Sequence, residues 1–278
     1  VKAARNIRDL RFCCFDVETT GLSSFSRLVE IGAVRFHIGE RGEEFSTLVN
    51  PGQPIPWEAS LIHGISDEMV RDAPGTKEAM ERFLAFAEDC VLVAHNAAFD
   101  ARIVALEAVR VGLDLPEVTV LDSISMARSF LPRQESYRLD VLAGSLGLDK
   151  RSLHRALPDA RAVRAVVEAS VTSIPGWKKM LTDRLFERVS GTQFSCSKAS
   201  RITLPPQFGE LKKAVEAGKP VRIVYAGGTR GRIPRAVTPI AVYTRREYFY
   251  LEAICHLDGT NKAFRLDRIV KIEMDESP

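Results

Sequence analysis

Two acids, Asp16 and Glu18, stand two residues apart at the end of Phe12-Cys13-Cys14-Phe15, a run whose character favours a buried β-strand. In a strand, positions i and i+2 share a face and their Cα atoms lie roughly 6 to 7 Å apart. Carboxylates so placed repel each other unless something positive lies between them. A pair of divalent cations about 3.5 to 4 Å apart, bridged by carboxylates, suits both the charge and the distance. Taken alone, the stretch reads equally as a strand-end acid followed by a Thr19-Thr20-Gly21 turn.

Further polar groups recur where such a site needs them. The apolar run Cys90-Val91-Leu92-Val93-Ala94 suits a fully buried strand and delivers His95-Asn96-Ala97-Ala98-Phe99-Asp100 at its C-terminal end, the edge at which α/β sheets place their sites. Asp100 there opens a helix expected over 101–111, as a third ligand or simply as an acid favourable to the helix dipole. Later, His154-Arg155-Ala156-Leu157-Pro158-Asp159 precedes a helix expected over 159–170. Proline is tolerated in a first helical turn, so His154 lies on the preceding loop and Asp159 at the helix start. A loop His five residues ahead of an acid can take a proton from a water held by a cation.

The elements that must position these groups begin with an antiparallel meander, a strand over 27–38 and its partner over 43–49. Short helices follow over 57–63 and 66–71, then a helix over 77–88 capped by Thr76, with Ala79, Met80, Phe83, Leu84 and Ala87 at helical spacing. A strand over 118–121 and helices over 122–130 and 138–146 complete the alternation. The 278 residues, 45% hydrophobic, suffice for two domains. Five scattered cysteines without a Cys-x-x-Cys pair argue against a disulfide framework or a zinc site. No apolar run reaches membrane-spanning length and no secretory pattern opens the sequence, so the expectation is a cytoplasmic protein without membrane partners.

Asp16-x-Glu18, Asp100 and His154-x4-Asp159, together with Thr19-Thr20-Gly21-Leu22 and His63-Gly64-Ile65, resemble in order and spacing the three motifs of the DEDDh, or DnaQ-like, 3′–5′ exonucleases. The resemblance covers roughly residues 8–172; Pro158 departs from it, at a position where a polar residue is common. It implies an α/β, ribonuclease H-like fold with a mixed five-stranded sheet. It also implies two Mg²⁺ or Mn²⁺ ions on Asp16, Glu18, Asp100 and Asp159, with one activating water, the other stabilising the departing 3′ oxygen, and His154 as general base. Thr19 and Leu22 would hold the terminal nucleotide, with His63, Asn96 and Phe99 lining the same pocket.

The second part of the chain differs in charge. Residues 1–172 carry 20 Lys and Arg against 25 Asp and Glu, whereas residues 173–278 carry 19 against 11. Such a basic stretch, interleaved with aromatics, suits phosphates and bases, and equally a solvated basic surface over core aromatics. An amphipathic helix is expected over 177–189, a linker over 190–201, a helix over 208–217 and three or four strands after it, forming a small bent sheet or barrel. Val221-x-Ile223-x-Tyr225, Arg235 with Pro239, Tyr248-Phe249-Tyr250-Leu251-Glu252-Ala253 and Phe264-Arg265-Leu266-Asp267-Arg268-Ile269 resemble a WYL domain, which has an Sm-like β-barrel; Phe249 stands where the name-giving Trp would be. The resemblance implies a groove for single-stranded nucleic acid or a small nucleotide, with Tyr225, Arg235, Tyr248, Tyr250, Arg265 and Arg268 at the matching positions.

The expected domains are 1–175 for the exonuclease, 176–204 for a basic helix and linker, and 205–278 for the WYL domain. The expected function is release of nucleoside 5′-monophosphates from single-stranded DNA or RNA 3′ ends. The alternatives are a ligand-responsive nucleic-acid-binding regulator with secondary nuclease activity, and a polymerase proofreading subunit.

Overall fold

The computed structural model of the chain describes residues 6–21, 26–149, 153–194, 205–217, 219–227, 232–245 and 248–274. These form two compact units, the second of which takes Ala105–Leu115 together with the described residues from 205 onward.

In the first unit, β1 (Phe12–Thr19), β2 (Leu28–Phe36) and β3 (Glu43–Leu48) form the expected meander. Helices α1 (Trp57–His63), α2 (Asp67–Val70) and α3 (Thr76–Phe86) lead to β4 (Val91–Ala94), which lies parallel to β1. Helix α4 (Ala98–Val111), of which the residues from Ala105 onward count with the second unit, then leads to β5 (Thr119–Asp122), parallel to β4. After α5 (Ser123–Phe130), α6 (Leu139–Ser145), α7 (Ala156–Thr172) and α8 (Thr182–Phe186), the strand β6 (Gly191–Gln193) pairs antiparallel to β5. The sheet order is β3-β2-β1-β4-β5-β6, a ribonuclease H-like mixed sheet of six strands rather than five.

Three details depart from the sequence reading. The sixth strand comes from the stretch expected to be linker; its backbone completes the edge of β5 through the 191–193 pairing. No continuous helix covers 177–189. A 3₁₀ turn at Trp177–Lys179 is followed by extended residues and the short α8, because Trp177 and Met180 pack on the core while Leu181 bridges to Asn6. Gly75 rather than Thr76 occupies the N-cap of α3, and the Thr76 side chain is buried in its first turn.

Helix α7 covers one face of the sheet. Ala160, Val163, Val167 and Val171 recur at helical spacing and pack with Phe12, Cys14, Val34, Phe36, Val93 and Leu121. Its first turn crosses β2 at Gly32, where a methyl group would overlap backbone atoms of Ala156 and Leu157. Gly32 pairs with Asp16 across the β1–β2 ladder. This close approach therefore brings the start of α7 over the acids of β1.

In the second unit, α9 (Gly209–Ala217) packs Leu211 and Ala214 on an antiparallel sheet of β7 (Val221–Tyr225), β8 (Pro234–Arg245), β9 (Tyr248–Cys255), β10 (Thr260–Arg265) and β11 (Ile269–Met274). The order is β10-β9-β8-β7-β11. Five strands are present where three or four were expected, β11 being the addition. Strand β8 carries an irregularity between Pro239 and Ala241, of the kind that bends a strand. Its edge strands β10 and β11 are joined by the three-residue turn Leu266–Arg268, so they approach at one corner. Among the described residues they form no ladder, and the expected barrel does not close.

Candidate active site

Strand β1 outruns β4: the last paired residues are Cys14 and Val93, yet β1 continues to Thr19. The amide of Val17 consequently has no strand partner on that side, and Asp100, in the first turn of α4, accepts it through Oδ1 at 3.3 Å. Local topology thus draws Asp100 beside Asp16 and Glu18. From the opposite side, α7 delivers Asp159 in its first turn, with Pro158 fitted there as expected.

Asp16, Glu18 and Asp159 each present a ligand oxygen, and these atoms all lie within 4.8 Å of one another. Asp100 is 2% exposed and, with one oxygen turned to Val17, stands beside this trio rather than within it. Burial and then the charge of Asp100, followed by those of Asp159, Glu18 and Glu30, push the Asp16 carboxyl far above its ordinary range. Burial together with Asp159, Glu30 and Asp100 raises Glu18 to about 8, against a lowering influence of Arg155. Burial raises Asp100 to about 8 even though it accepts backbone N–H groups, and raises Asp159 to about 6 against the N–H of His154. Acids that hold protons this strongly are short of positive charge, and an oxygen-only set at this spacing fits a hard divalent cation.

His154 is exposed, with φ of 72° in the left-handed region that β-carbon sterics disfavour. Its backbone N–H donates to Asp159 Oδ1 at 3.2 Å, closing the loop on the helix it precedes. His154 and Asp159 line a cavity of about 500 Å³ whose walls include Asn96, Arg128, Tyr137 and Arg138.

The secondary positions spread around this centre. Thr19 Oγ1 donates to the carbonyl of Gly21 at 2.5 Å, fixing the turn after β1; Leu22 lies outside the described residues. His63 is 4% exposed, accepts the Ile65 N–H through Nδ1 at 3.0 Å and stands against the Thr19 backbone; burial lowers its pKa. Asn96 has φ of 61°, and its N–H donates to Asp122 Oδ1 at 3.1 Å. Phe99 is half-buried, with the Arg102 guanidinium 5.5 Å from its ring centre.

Sequence reading passed over His95, whose ring nitrogens bond Ser123 Oγ at 2.8 Å and the Tyr137 carbonyl at 3.0 Å, tethering the α5–α6 connection to the end of β4. It also passed over Tyr137 and Arg128, which stack with the guanidinium 5.0 Å from the ring centre in the cavity wall. The step from a buried apolar strand to His95-Asn96 was the visible signal for the first.

On the second sheet the expected groove residues divide between two faces. Arg235 pairs with the core residue Ile223 across β7–β8 and is buried. Tyr225 lies on the same side, edge-on to Phe264 at 5.2 Å. Tyr248 and Tyr250 alternate with the core residue Leu251 and so face the other way, with Arg265 opposite Tyr250. The Arg265 guanidinium sits 3.6 Å from the Tyr248 ring centre and pairs with Asp267 at 2.5 and 3.0 Å. Arg268 is exposed in the turn.

Comparison with known proteins agrees with this architecture. Residues 206–274 match the WYL domain. A DNA polymerase III subunit epsilon-like protein of Rhodobacter capsulatus is 39% identical over 175 residues, 61% of this chain and 24% of that protein. A PolC-type DNA polymerase III of Caldanaerobacter subterraneus subsp. tengcongensis is 40% identical over 156 residues, 56% of this chain and 11% of the polymerase. The chain thus spans only a quarter or less of the length of these relatives. Escherichia coli exonuclease I in complex with a dA16 oligonucleotide shares the fold, with a TM-score of 0.55 at 18% identity over 88% of this chain and 55% of that one. Residues 13–167, more than half of the sequence, match the RNase T exonuclease family, and the chain belongs to that family.

Proposed function

We propose that the chain is a metal-dependent 3′–5′ exonuclease that releases nucleoside 5′-monophosphates from single-stranded 3′ ends. The observation that carries this reading is the convergence of Asp16, Glu18 and Asp159 oxygens within 4.8 Å, beside the buried Asp100 and the exposed His154. Asp16, Glu18, Asp159 and Asp100 would hold two Mg²⁺ or Mn²⁺ ions, which when bound acidify water and stabilise charge on the oxygens of the reacting phosphodiester. A ring nitrogen of His154 takes the proton of the attacking water as its oxygen bonds to phosphorus. The P–O3′ bond then breaks, and the 3′ oxygen of the shortened strand is protonated from solvent. Thr19 and Leu22 grip the terminal nucleotide, with His63, Asn96 and Phe99 around it, and the cavity beside Tyr137 and Arg128 receives the strand next to the cleaved bond. The WYL unit binds the upstream strand, or a small nucleotide as regulator, through Tyr248, Tyr250, Arg265 and Arg268; Tyr225 and Arg235 support that sheet from its other face.

The test is a digestion time course on matched DNA and RNA oligonucleotides, single- and double-stranded and labelled at either end, with Mg²⁺, Mn²⁺ or EDTA. Stepwise loss from single-stranded 3′ ends that EDTA stops is expected. Degradation from 5′ ends, or undiminished activity in EDTA, rejects the reading. The names of the polymerase relatives favour proofreading as a second reading. It is tested by whether a mismatched primer terminus is removed faster than a paired one when a replicative polymerase is added.

A further inference from the structure

Glu30 is 2% exposed and pairs with Glu18 across the β1–β2 ladder, on the sheet face that carries the acids. A fifth carboxylate there would ordinarily read as another cation ligand. Its oxygens are otherwise engaged: Oε2 accepts Arg155 Nε at 2.9 Å and the Ala156 N–H at 3.0 Å, and Oε1 accepts Arg155 Nη2 at 2.7 Å. The Ala156 N–H is the first amide of α7, and no side chain at the N-cap Arg155 satisfies it. Glu30 therefore caps α7 from 126 residues away and grips the guanidinium of the residue that follows His154.

These bonds divide the work. The bond to Ala156 holds the helix and with it Asp159, whose Oδ1 also accepts the His154 N–H, whereas the paired bonds to Arg155 add a second hold on the loop, at the residue next to His154, whose φ lies in the left-handed region. A residue so disposed needs surroundings that over-determine it. We infer that Arg155, clamped by Glu30, is a positioning residue that fixes where the His154 imidazole stands. The inference rests on the exonuclease reading with His154 as base.

The experiment compares full-length wild type, Arg155→Ala, His154→Ala and the double variant on one single-stranded oligonucleotide, measuring kcat, KM, Mn²⁺ affinity and melting temperature. Arg155→Ala leaves the Glu30–Ala156 bond in place, so Mn²⁺ affinity and KM are expected to stay near wild type. The turnover kcat is expected to fall roughly 10–100-fold, the usual cost of removing a group that orients a catalytic one. In the His154→Ala background the same change should cost little more, because the group it acts through is gone. If Arg155→Ala does not fold, Arg155→Lys keeps the charge beside Glu30 but not the paired guanidinium bonds and is expected to give the same non-additive loss, smaller in size. A melting temperature that drops while kcat holds makes Arg155 merely structural and overturns the inference, as does a loss that multiplies in full onto His154→Ala. An inactive wild type would instead overturn the exonuclease reading itself.

Discussion

Charged side chains are handled in opposite ways in the two units. At the end of β1 four carboxylates gather with little positive charge among them, and Glu18 and Asp100 hold their protons up to about 8. On the second sheet Arg265 is matched by Asp267 and lies on the Tyr248 ring. The first arrangement leaves an electrostatic debt that a small cation can settle, while the second is already neutral in its own surroundings. On the proposed reading, strong, local, cation-dependent chemistry would belong to the first, and weaker, salt-sensitive contact with a strand to the second.

The largest expected effect breaks the first side of this contrast. Asp16→Ala, or Asp100→Ala, should abolish nucleotide release while circular dichroism shows an intact fold; retained turnover would mean that the acids hold no working cation. Next comes His154→Ala, expected to lower kcat roughly 10²–10⁴-fold with little change in KM. A raised KM at normal turnover would make His154 a substrate contact only. On the other unit, Arg268→Glu should weaken binding of long oligonucleotides and reduce the slope of log affinity against log salt by about one, with very short substrates hydrolysed as before. Equal losses on short and long substrates would remove the strand-tracking role.

The smallest effect concerns stability. Carboxyls of an unfolded chain titrate at about 4. Between there and about 8 the cluster binds more protons in the folded, cation-free protein than in the unfolded chain, so its contribution to stability falls as pH rises through that window. Asp16→Asn removes the cost of keeping an acid in a place that disfavours its charged form and should raise the melting temperature of the cation-free protein at pH 8 by about 2–4 °C, equivalent to about 1 kcal/mol. At pH 4, where the cluster is protonated in both proteins, the difference should vanish. Melting curves in EDTA at the two pH values decide it, and a difference that grows toward acid would contradict the origin assigned to the shifts.

Residues whose chemistry is local were legible from the sequence. Strand alternation placed Asp16 and Glu18 on one face, a buried strand placed Asp100 at its end, and the rule for proline in a first turn placed Asp159 at a helix start, whereas their grouping into one site came only from the resemblance of all three motifs together. Glu30 was not legible, since its partners lie 125 and 126 residues onward and its own strand reads as apolar core. Strand β6 escaped because three residues of Gly, Thr and Gln carry no periodicity and become a strand only against β5. The half-exposed β11 lacks the dense apolar signal of its neighbours. The WYL residues were legible by type but not by face, because the side on which Arg235 lies is set by pairing with Ile223 across a bulged strand.

The crossing at Gly32 bears on how the chain can change. There the spacing between the strand bearing Asp16 and the helix bearing Asp159 is gauged by backbone against backbone, with no side chain as a shim. A spacer made of side chains would thicken or thin with every substitution beneath it, and the distance between two acids would drift accordingly. A backbone gauge has one setting. Position 32 should therefore be nearly closed in a saturation library scored for activity, even to alanine, while glycines facing open space at 39 and 52 admit residues that accept a positive φ.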